Sequence, residues 1–244
     1  MKGPRLRDSK NLKTHEIYPL GQIPENIIKR IGAYIVYLLA IGRDDMTGDD
    51  WGDAFAYAIN GVHLKSPVGI ADVVFENRQA WSLKTVKKPK PFTGGQIRLI
   101  SGRCSPDYSY GIANPHDDIQ ATGTAVLGIW NERINIARDH HNPVRTVVLV
   151  RNNDLSEFCI YEEDNYRYPT NEYRWKENKQ HNFIGTRGET TCFTWQPHGS
   201  QFTIHSYIPE NAIYFKVRKP NTIPQNIILA DVGFSDDWIS IVKR

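Results

Sequence analysis

Hydrophobic positions at helical spacing dominate the segment 24–60. After Pro24, isoleucines and leucines recur three, four and seven residues apart, which predicts a core helix that ends at Gly42. A second helix is expected to begin after Thr47, a cap-type residue, and to end at Asn60, which is followed by glycine. The first quarter of the chain therefore predicts two helices, each with one buried face.

The pattern changes to that of β-strands after residue 63. The runs 68–75 and 80–87 are rich in β-branched and aromatic residues, and the polar segment between them predicts a hairpin. A three-residue turn at 77–79 would place Asp72 opposite Lys84. The side chains would then divide into an apolar face with Val73, Phe75, Trp81 and Leu83, and a polar face with Asp72, Ser82 and Lys84.

The remaining pattern predicts one long helix and several strands. Lysine, proline and glycine indicate a loop over 88–95, and the chain from there to Pro115 shows no regular pattern. A helix is expected from Asp117 to about Arg138, with acids at its start and bases at its end. Strands are expected at 145–151, 157–161, 190–195, 201–207 and 212–217, with a turn at Pro197-His198-Gly199.

This order of elements predicts an α/β fold with a mixed central sheet flanked by helices. We expect a core over about 24–151 and a mostly antiparallel β extension over about 152–244. Because no linker-like segment separates the two, residues 1–244 are expected to form a single domain.

Composition narrows the class of protein. Thirty Lys and Arg against 27 Asp and Glu give a net charge of +3, which is too small to indicate nucleic-acid binding by itself. The evidence for such binding must therefore come from where the charges lie along the chain. The three cysteines are widely spaced, and no signal peptide or apolar run long enough to span a bilayer is present. We therefore expect a cytoplasmic protein with no membrane partner. The glycine-rich motifs of nucleotide-binding proteins are missing too, so no nucleotide cofactor is expected.

The predicted hairpin carries the candidate chemistry. A carboxylate from Asp72 and an ammonium from Lys84, held side by side on strands, suit metal-assisted hydrolysis of phosphodiesters. The carboxylate can bind Mg²⁺, and the lysine can orient the attacking water and stabilise charge on the phosphate. An ion pair across two strands is also a common surface feature, so the pair alone does not decide the function.

Gly69-Ile70-Ala71-Asp72 followed by Ser82-Leu83-Lys84 resembles the motif of the PD-(D/E)xK nuclease superfamily. The resemblance covers about 49–151 and includes the order helix, three strands, helix, strand. It implies a restriction-endonuclease-like core that cleaves DNA with Mg²⁺, for which Mn²⁺ can substitute. The chain departs from the motif at Ala71, where proline is usual, and at Ser82, where a second acid is usual; some restriction enzymes of the superfamily share this Ser-x-Lys form.

Those enzymes bring the missing carboxylate from a neighbouring helix, so the resemblance implies a second metal-binding acid elsewhere in this chain. Asp53 on the preceding helix is the favoured candidate, because many members of the superfamily carry a glutamate on that helix. Asp117 and Asp118, at the start of the later helix, are the alternatives. The catalytic set expected from the sequence is therefore Asp72, Ser82, Lys84 and Asp53, with Asp72, Asp53, Asp117 and Asp118 as candidate metal ligands.

Basic and amide side chains predict the surface that contacts DNA. One group follows the catalytic strand, where two glycines would allow close approach of the backbone to phosphates. A second group combines cations, amides and aromatics that can contact base edges. The candidates are Lys87, Lys88, Lys90 and Arg98 in the first group, and Arg167, Arg174, Lys176, Asn178 and Lys179 in the second.

The sequence thus predicts an endonuclease that hydrolyses double-stranded DNA, sequence-specific in the manner of a type II restriction enzyme. A homodimer is expected, because two-fold symmetry matches a palindromic duplex. Two alternatives stay open. One is a non-catalytic nucleic-acid-binding protein on a degenerate nuclease core, and the other is a structure-specific repair nuclease.

Overall fold

A computed structural model describes residues 16–65, 69–76 and 78–242 and shows a mixed α/β fold with two β-sheets. In chain order the elements are α1 (Glu25–Ala40), α2 (Gly48–Ile59), β1 (Val62–His63), β2 (Val73–Phe75), β3 (Gln79–Lys87), β4 (Gln96–Arg103), α3 (Pro106–Tyr110), α4 (Ile119–His140), β5 (Val144–Arg151), β6 (Glu157–Asp164), β7 (Arg174–Glu177), β8 (Phe183–Arg187), β9 (Thr190–Gln196), β10 (Gln201–Tyr207), β11 (Ile213–Lys216) and α5 (Gln225–Asp231).

The larger sheet, sheet A, has the strand order β1-β2-β3-β5-β6-β11. Strands β3 and β5 run parallel, and the other neighbours are antiparallel. The predicted mixed sheet flanked by helices is therefore confirmed. The parallel pair is joined by a crossover that contains α4, as parallel neighbours require.

Helices α1 and α2 cover one face of sheet A. Their apolar stripes include Ile31, Ile35 and Phe55, which are fully buried against Trp81 and Val147 of the sheet. Both helices occur where the sequence predicted them. Pro24 precedes the first turn of α1, and Asn60 ends α2 in a left-handed conformation with φ of 56°.

The opposite face of sheet A packs against α4 and the smaller sheet, sheet B, which has the order β4-β10-β9-β8-β7. Val126, Trp130 and Ile134 of α4 lie between the two sheets. Beyond α4, strands β4 and β5 approach each other directly, with Leu99 against Val148. Helix α4 is thus a wedge that separates the sheets at one end, while they stay in contact at the other.

The hairpin register differs from the prediction by two residues. Val73 pairs with Trp81 and Phe75 with Gln79, so Asp72 lies level with Ser82 and not with Lys84. The turn begins one residue earlier than expected, at Glu76, whose φ is +49°. Because strand side chains alternate with a period of two, this shift leaves both predicted faces intact. The expected strand start at Val68 and the turn residue Asn77 lie outside the described residues.

The predicted division into a core over about 24–151 and an extension over about 152–244 does not coincide with the division of the strands into sheets A and B. The stretch before Pro115, expected to be irregular, contains β4 and α3, and β4 is an edge strand of sheet B. Conversely, β6 and β11 from the second half complete sheet A. Strands β7 and β8 and helix α5 were not predicted as separate elements. The C-terminal half therefore contributes to both sheets, and its antiparallel part begins in the first half of the chain.

A buried ion pair links three strands of sheet A. Arg145 on β5 and Glu162 on β6 are almost fully buried, with 3.0 Å between Nη1 and Oε2. Glu162 also accepts hydrogen bonds from Trp81 Nε1 at 2.7 Å and from the Tyr18 hydroxyl at 3.2 Å. Arg145 Nη2 donates to the Tyr18 carbonyl at 3.1 Å. The pair therefore fixes the segment before α1 to the centre of the sheet.

We expect Glu162→Gln to lower the free energy of unfolding by about 3 kcal/mol, because it removes the buried partner of Arg145 and leaves only the partly exposed Glu16, 3.1 Å from Nη2, to balance the charge. Urea unfolding followed by circular dichroism measures this change. Glu25→Gln is the control, since Glu25 pairs with Lys29 on the exposed surface of α1 and its loss should leave the unfolding midpoint unchanged. Equal midpoints for Glu162→Gln and the wild type would contradict the role given to the pair.

Candidate active site

A cavity of about 440 Å³ opens between α2 and the β2–β3 hairpin. We call it the Asp72 cavity. Side chains of three kinds line it: acids, bases and a histidine. They are Asp49 and Asp72, Lys65 and Lys84, and His63, with Gly48, Gly52 and Leu83 between them. The predicted residues Asp72 and Lys84 therefore line one open cavity.

The first turn of α2 is fixed by a reciprocal cap. Thr47 Oγ1 accepts from the Asp50 amide at 3.1 Å, and the Asp50 carboxylate accepts from the Thr47 amide at 2.8 Å. Trp51 and Phe55 then anchor the helix in the core. Asp49 is exposed and faces the Asp72 cavity, where it forms no hydrogen bond or ion pair with another described residue.

Asp72 is held in place by β3. Its Oδ2 accepts from the Leu83 amide at 2.6 Å, and the Ser82 hydroxyl lies 3.4 Å away. Its amide donates to the Trp81 carbonyl at 2.8 Å. Among the described residues nothing bonds to Oδ1, which leaves that oxygen available to a ligand. The hydroxyl group of the buried Ser82 thus lies next to the Asp72 carboxylate, on the inner side of sheet A.

Lys84 extends from β3 between two cavities. It lines the Asp72 cavity and also a small void of about 20 Å³ on the inner side of sheet A, which we call the inner void. Burial lowers the pKa of the Lys84 ammonium; the Asp72 carboxylate opposes this change and the Arg133 guanidinium adds to it. A lysine in such surroundings holds its proton less firmly than a surface lysine does.

Asp53, the favoured second acid, lies on α2 but is engaged by neighbours. Its Oδ1 is 2.8 Å from His63 Nδ1 and 3.5 Å from Lys65 Nζ. The imidazole packs directly on α2, since a Cβ at Gly52 would lie only 2.3 Å from the ring. Asp53 therefore orients His63 toward the Asp72 cavity, whereas Asp49 faces the cavity itself.

Asp117 and Asp118 lie far from this site. Asp118 caps α4 by accepting from the Ala121 amide at 2.8 Å, and Asp117 accepts from the Asn114 side chain. Arg133, on the same helix, is the residue whose charge acts on Lys84, and fifteen residues of helix separate it from Asp118 by about 22 Å. The structure does not bring these two acids together with Asp72.

Glu163 is an acid near Lys84 that the sequence analysis missed. It pairs with Thr146, which pairs with Ser82, so all three side chains share one face of sheet A. Glu163 and Lys84 both line the inner void, and burial raises the pKa of Glu163 to about 7. The predicted strand ended at Tyr161, before this acid. The sequence signal was the pair of adjacent acids, Glu162 and Glu163, that follows an apolar run. Neighbouring side chains of a strand point to opposite faces of the sheet. Because both faces of sheet A are covered, each of these acids points toward packed protein.

The first group of predicted DNA-binding residues follows β3. Lys87 pairs with Asp45 at 2.8 Å, and Lys88 donates to the Gly94 carbonyl. Lys90 is exposed in the same loop. Arg98 lies instead on the outer face of β4 in sheet B, paired with His205. The loop lysines are thus close in sequence to Lys84 on β3, but two of them, Lys87 and Lys88, are already bonded within the protein.

The second group lies near the opposite end of α4. The β7–β8 hairpin packs on the start of α4, with Trp175 against Gly123. Asn178 accepts from two backbone amides of the hairpin turn, which gives its side chain a structural role. The exposed members are Arg167, Arg174, Lys176 and Lys179. About 15 Å of helix separates Gly123 from Arg133, so this group is not part of the Asp72 cavity.

The donor set of the Asp72 cavity fits a hard divalent cation. Within the described part of the chain, no cluster of three or more His, Cys, Asp or Glu side chains could hold a metal ion. Mg²⁺ does not require one, because it usually binds through one or two carboxylates, waters and substrate phosphates. The free Oδ1 of Asp72 and the exposed carboxylate of Asp49 supply such oxygens.

Comparison of the chain with protein-family models, with curated proteins and with solved structures finds no match. Among the described residues no helix has both the length and the apolar composition needed to cross a bilayer. The functional interpretation therefore depends on the site itself.

The raised pKa of Glu163 predicts a pH-dependent stability. The folded protein keeps the proton of Glu163 up to about pH 7, whereas the unfolded chain loses it near pH 4. Stability should therefore fall as the pH rises through this window. Glu163→Gln, which stays neutral, should match the wild type at pH 4 and exceed it by roughly 2–3 kcal/mol at pH 8.

Urea unfolding at the two pH values measures this difference. Glu157→Gln is the matched control, since Glu157 lies on the same strand but pairs with Lys216 at the surface, and it should gain no stability at pH 8. A Glu163→Gln protein whose difference from the wild type is the same at both pH values would contradict the burial of a neutral carboxyl group.

Proposed function

We propose that the protein is a Mg²⁺-dependent endonuclease that hydrolyses phosphodiester bonds of double-stranded DNA. The observation that carries this proposal is the convergence of Asp72 and Lys84, fixed on adjacent strands, on one open cavity with a free carboxylate oxygen. Fixed groups of this kind suit hydrolysis, because they need no reorganisation when charge develops. The sequence-specific action of a type II restriction enzyme is part of the proposal.

The topology supports a restriction-endonuclease-like core. The order of elements is helix α2, strands β1 to β3, helix α4 and strand β5, which is the order of the PD-(D/E)xK superfamily. The four strands are consecutive neighbours in sheet A. Strand β4 interrupts this order, but it belongs to sheet B. We propose that residues 1–244 form one domain, in which sheet B provides additional surface for contacts with DNA.

We expect Asp72 and Asp49 to hold Mg²⁺. Asp53, whose carboxylate bonds to His63, is the next candidate. When bound, the cation would lower the pKa of a coordinated water and neutralise charge on the phosphate. The inner position of Ser82 keeps the Asp72 carboxylate turned toward the cavity. The acid missing at Ser82 is thus replaced from α2, the helix that the sequence analysis favoured, but one turn earlier.

Lys84 supplies the remaining chemistry. Its Nζ can orient the attacking water and donate a hydrogen bond to a phosphoryl oxygen as negative charge grows there. Attack by water forms the new P–O bond and releases a proton to solvent, the bond to the 3′ oxygen breaks and that oxygen takes up a proton from solvent, and the product retains a 5′-phosphate. Because Lys84 is desolvated, its interaction with the phosphate is stronger than that of a surface lysine.

The loop after β3 would anchor the DNA backbone beside this site. Lys90 is free to contact phosphates, and Lys87 and Lys88 would exchange their present partners for phosphate. Two protomers related by two-fold symmetry would cut both strands of a palindromic site. A homodimer is therefore included in the proposal.

A non-catalytic DNA-binding protein is the second candidate. It is favoured by Ser82, which stands at a position of the motif where a second acid is usual. Such a protein would retain the basic loop and lose only the chemistry. Metal-dependent cleavage separates the two candidates.

We expect the wild type to cut a large viral DNA into discrete fragments with Mg²⁺ or Mn²⁺, and Asp72→Ala to cut none. Asp72 contributes no apolar contact to the core, so the variant should keep its fold, as checked by circular dichroism. Specific binding without cleavage by the wild type would favour the non-catalytic candidate. Normal cleavage by a folded Asp72→Ala protein would overturn the active-site assignment.

The second acid can be identified by comparing Asp49→Asn, Asp53→Asn and Asp118→Asn in single-turnover cleavage. Asp49→Asn should lower the rate by roughly a hundredfold, the effect of one electrostatic group, and raise the Mg²⁺ requirement. Asp53→Asn should have a smaller effect through His63. Asp118→Asn is the control, because asparagine also caps helices and the residue lies far from the site. A larger loss for Asp118→Asn than for Asp49→Asn would refute this ranking.

A further inference from the structure

A second and larger cavity, of about 900 Å³, adjoins the active site on the other side of Ala71. We call it the Arg133 cavity. Its floor is apolar and includes Ile70, Ala71 and Ala137, with the exposed Ile136 at the edge. Its volume lies within the range of small-molecule sites, about 300–1,000 Å³.

Every ionisable group that lines this cavity, among the described residues, is basic or a histidine. Arg103, Arg133 and His140 supply positive charge or can acquire it, and no carboxylate faces them. The cavity therefore has the electrostatic character of an anion site, in contrast to the Asp72 cavity, where acids and bases mix.

Arg133 is the central group. Its guanidinium reaches the carbonyls of Gly69, Ser101 and Arg103, each at 3.4 Å, which is longer than a usual hydrogen bond of about 2.7–3.2 Å. Within the described part of the chain no Asp or Glu pairs with it. A guanidinium has five N–H donors, and these contacts, together with one to the Cys104 side chain, hold its position while it faces the cavity.

The contrast with Arg138, five residues further along α4, is direct. Arg138 Nη2 donates to the Asn165 carbonyl at 2.7 Å and lies 3.3 Å from Asp164. The charge of Arg133 instead acts on Lys84, whose pKa it helps to lower. An arginine that faces a cavity and has no carboxylate partner can bind an anionic ligand there without first breaking an ion pair.

Space for this guanidinium is created by Gly102. The glycine has φ of +96°, and a Cβ there would lie 2.7 Å from Arg133 Nη1. The backbone of β4 thus gives the side chain room beside the cavity. In the sequence, Arg133 lies among the apolar positions that form the buried face of α4, such as Trp130, Ile134 and Ala137. A charged residue on that face was the signal that the sequence analysis did not use.

We propose that the Arg133 cavity binds a nucleotide unit of the DNA strand, with its phosphate on Arg133 and its sugar and base on the apolar floor. Guanidinium groups suit phosphate because they present paired donors. This inference depends on the proposed function for the identity of the ligand. The anion site itself can be tested without any cleavage assay.

The probe is a deoxynucleoside 5′-monophosphate, with inorganic phosphate beside it, titrated into the whole protein by calorimetry. The wild type should bind the nucleotide more tightly than phosphate. Arg133→Ala should weaken both by at least about tenfold, as expected for a lost charged hydrogen bond. Arg138→Ala is the matched control on the same helix and should leave both affinities unchanged.

A second variant guards against misfolding of Arg133→Ala. Ile136→Asp adds a negative charge at the exposed edge of the cavity and should also abolish binding, whereas Asn135→Asp, one residue away on the helix, should not. Equal nucleotide affinities for Arg133→Ala and Arg138→Ala, or no preference for nucleotide over phosphate, would overturn the inference. Nucleotide binding by a wild type that fails to cut DNA would leave this site standing and remove only the proposed nuclease function.

Discussion

The buried pair of Arg145 and Glu162 is the constraint on which the rest of the fold depends. It joins β5 to β6, receives the indole of Trp81 from β3, and fixes the chain before α1 through Tyr18. A charge pair in such a position requires that every polar neighbour be in place, because an unpaired buried charge is costly. The three central strands of sheet A are thereby locked in one register, and β3 carries Lys84.

Periodicity was sufficient to predict the elements on which the site is built. The spacing of apolar residues identified α1, α2, α4 and the strand pair β2–β3, because each buries one face and shows it in sequence. The hairpin register was wrong by two residues, since a turn that starts at Glu76 differs little in sequence from one that starts later. The polar face survived the error, because a shift by an even number preserves alternation.

The features that the sequence did not reveal depend on contacts between distant segments. Strand β4 alternates regularly, but its partner β10 lies a hundred residues away, and glycines obscure its end. Glu163 and Arg133 were missed because their proximity to Lys84 follows from the packing of α4 and sheet B. Asp49 and Asp53 have similar spacing in the sequence, and only the structure shows that Asp53 bonds to His63 whereas Asp49 faces the Asp72 cavity.

Lys84 also has a consequence for the interior of the protein. Its aliphatic stem stands between an open cavity and a closed void large enough for about one water molecule. The side chain therefore acts as a partition between solvent and the face of the sheet that carries Glu163. A shorter residue at this position would connect the two cavities and leave the largely buried carboxyl group of Glu163 more hydrated. The same side chain thus borders both the Asp72 cavity and the inner void, and its length limits the exchange of water between them.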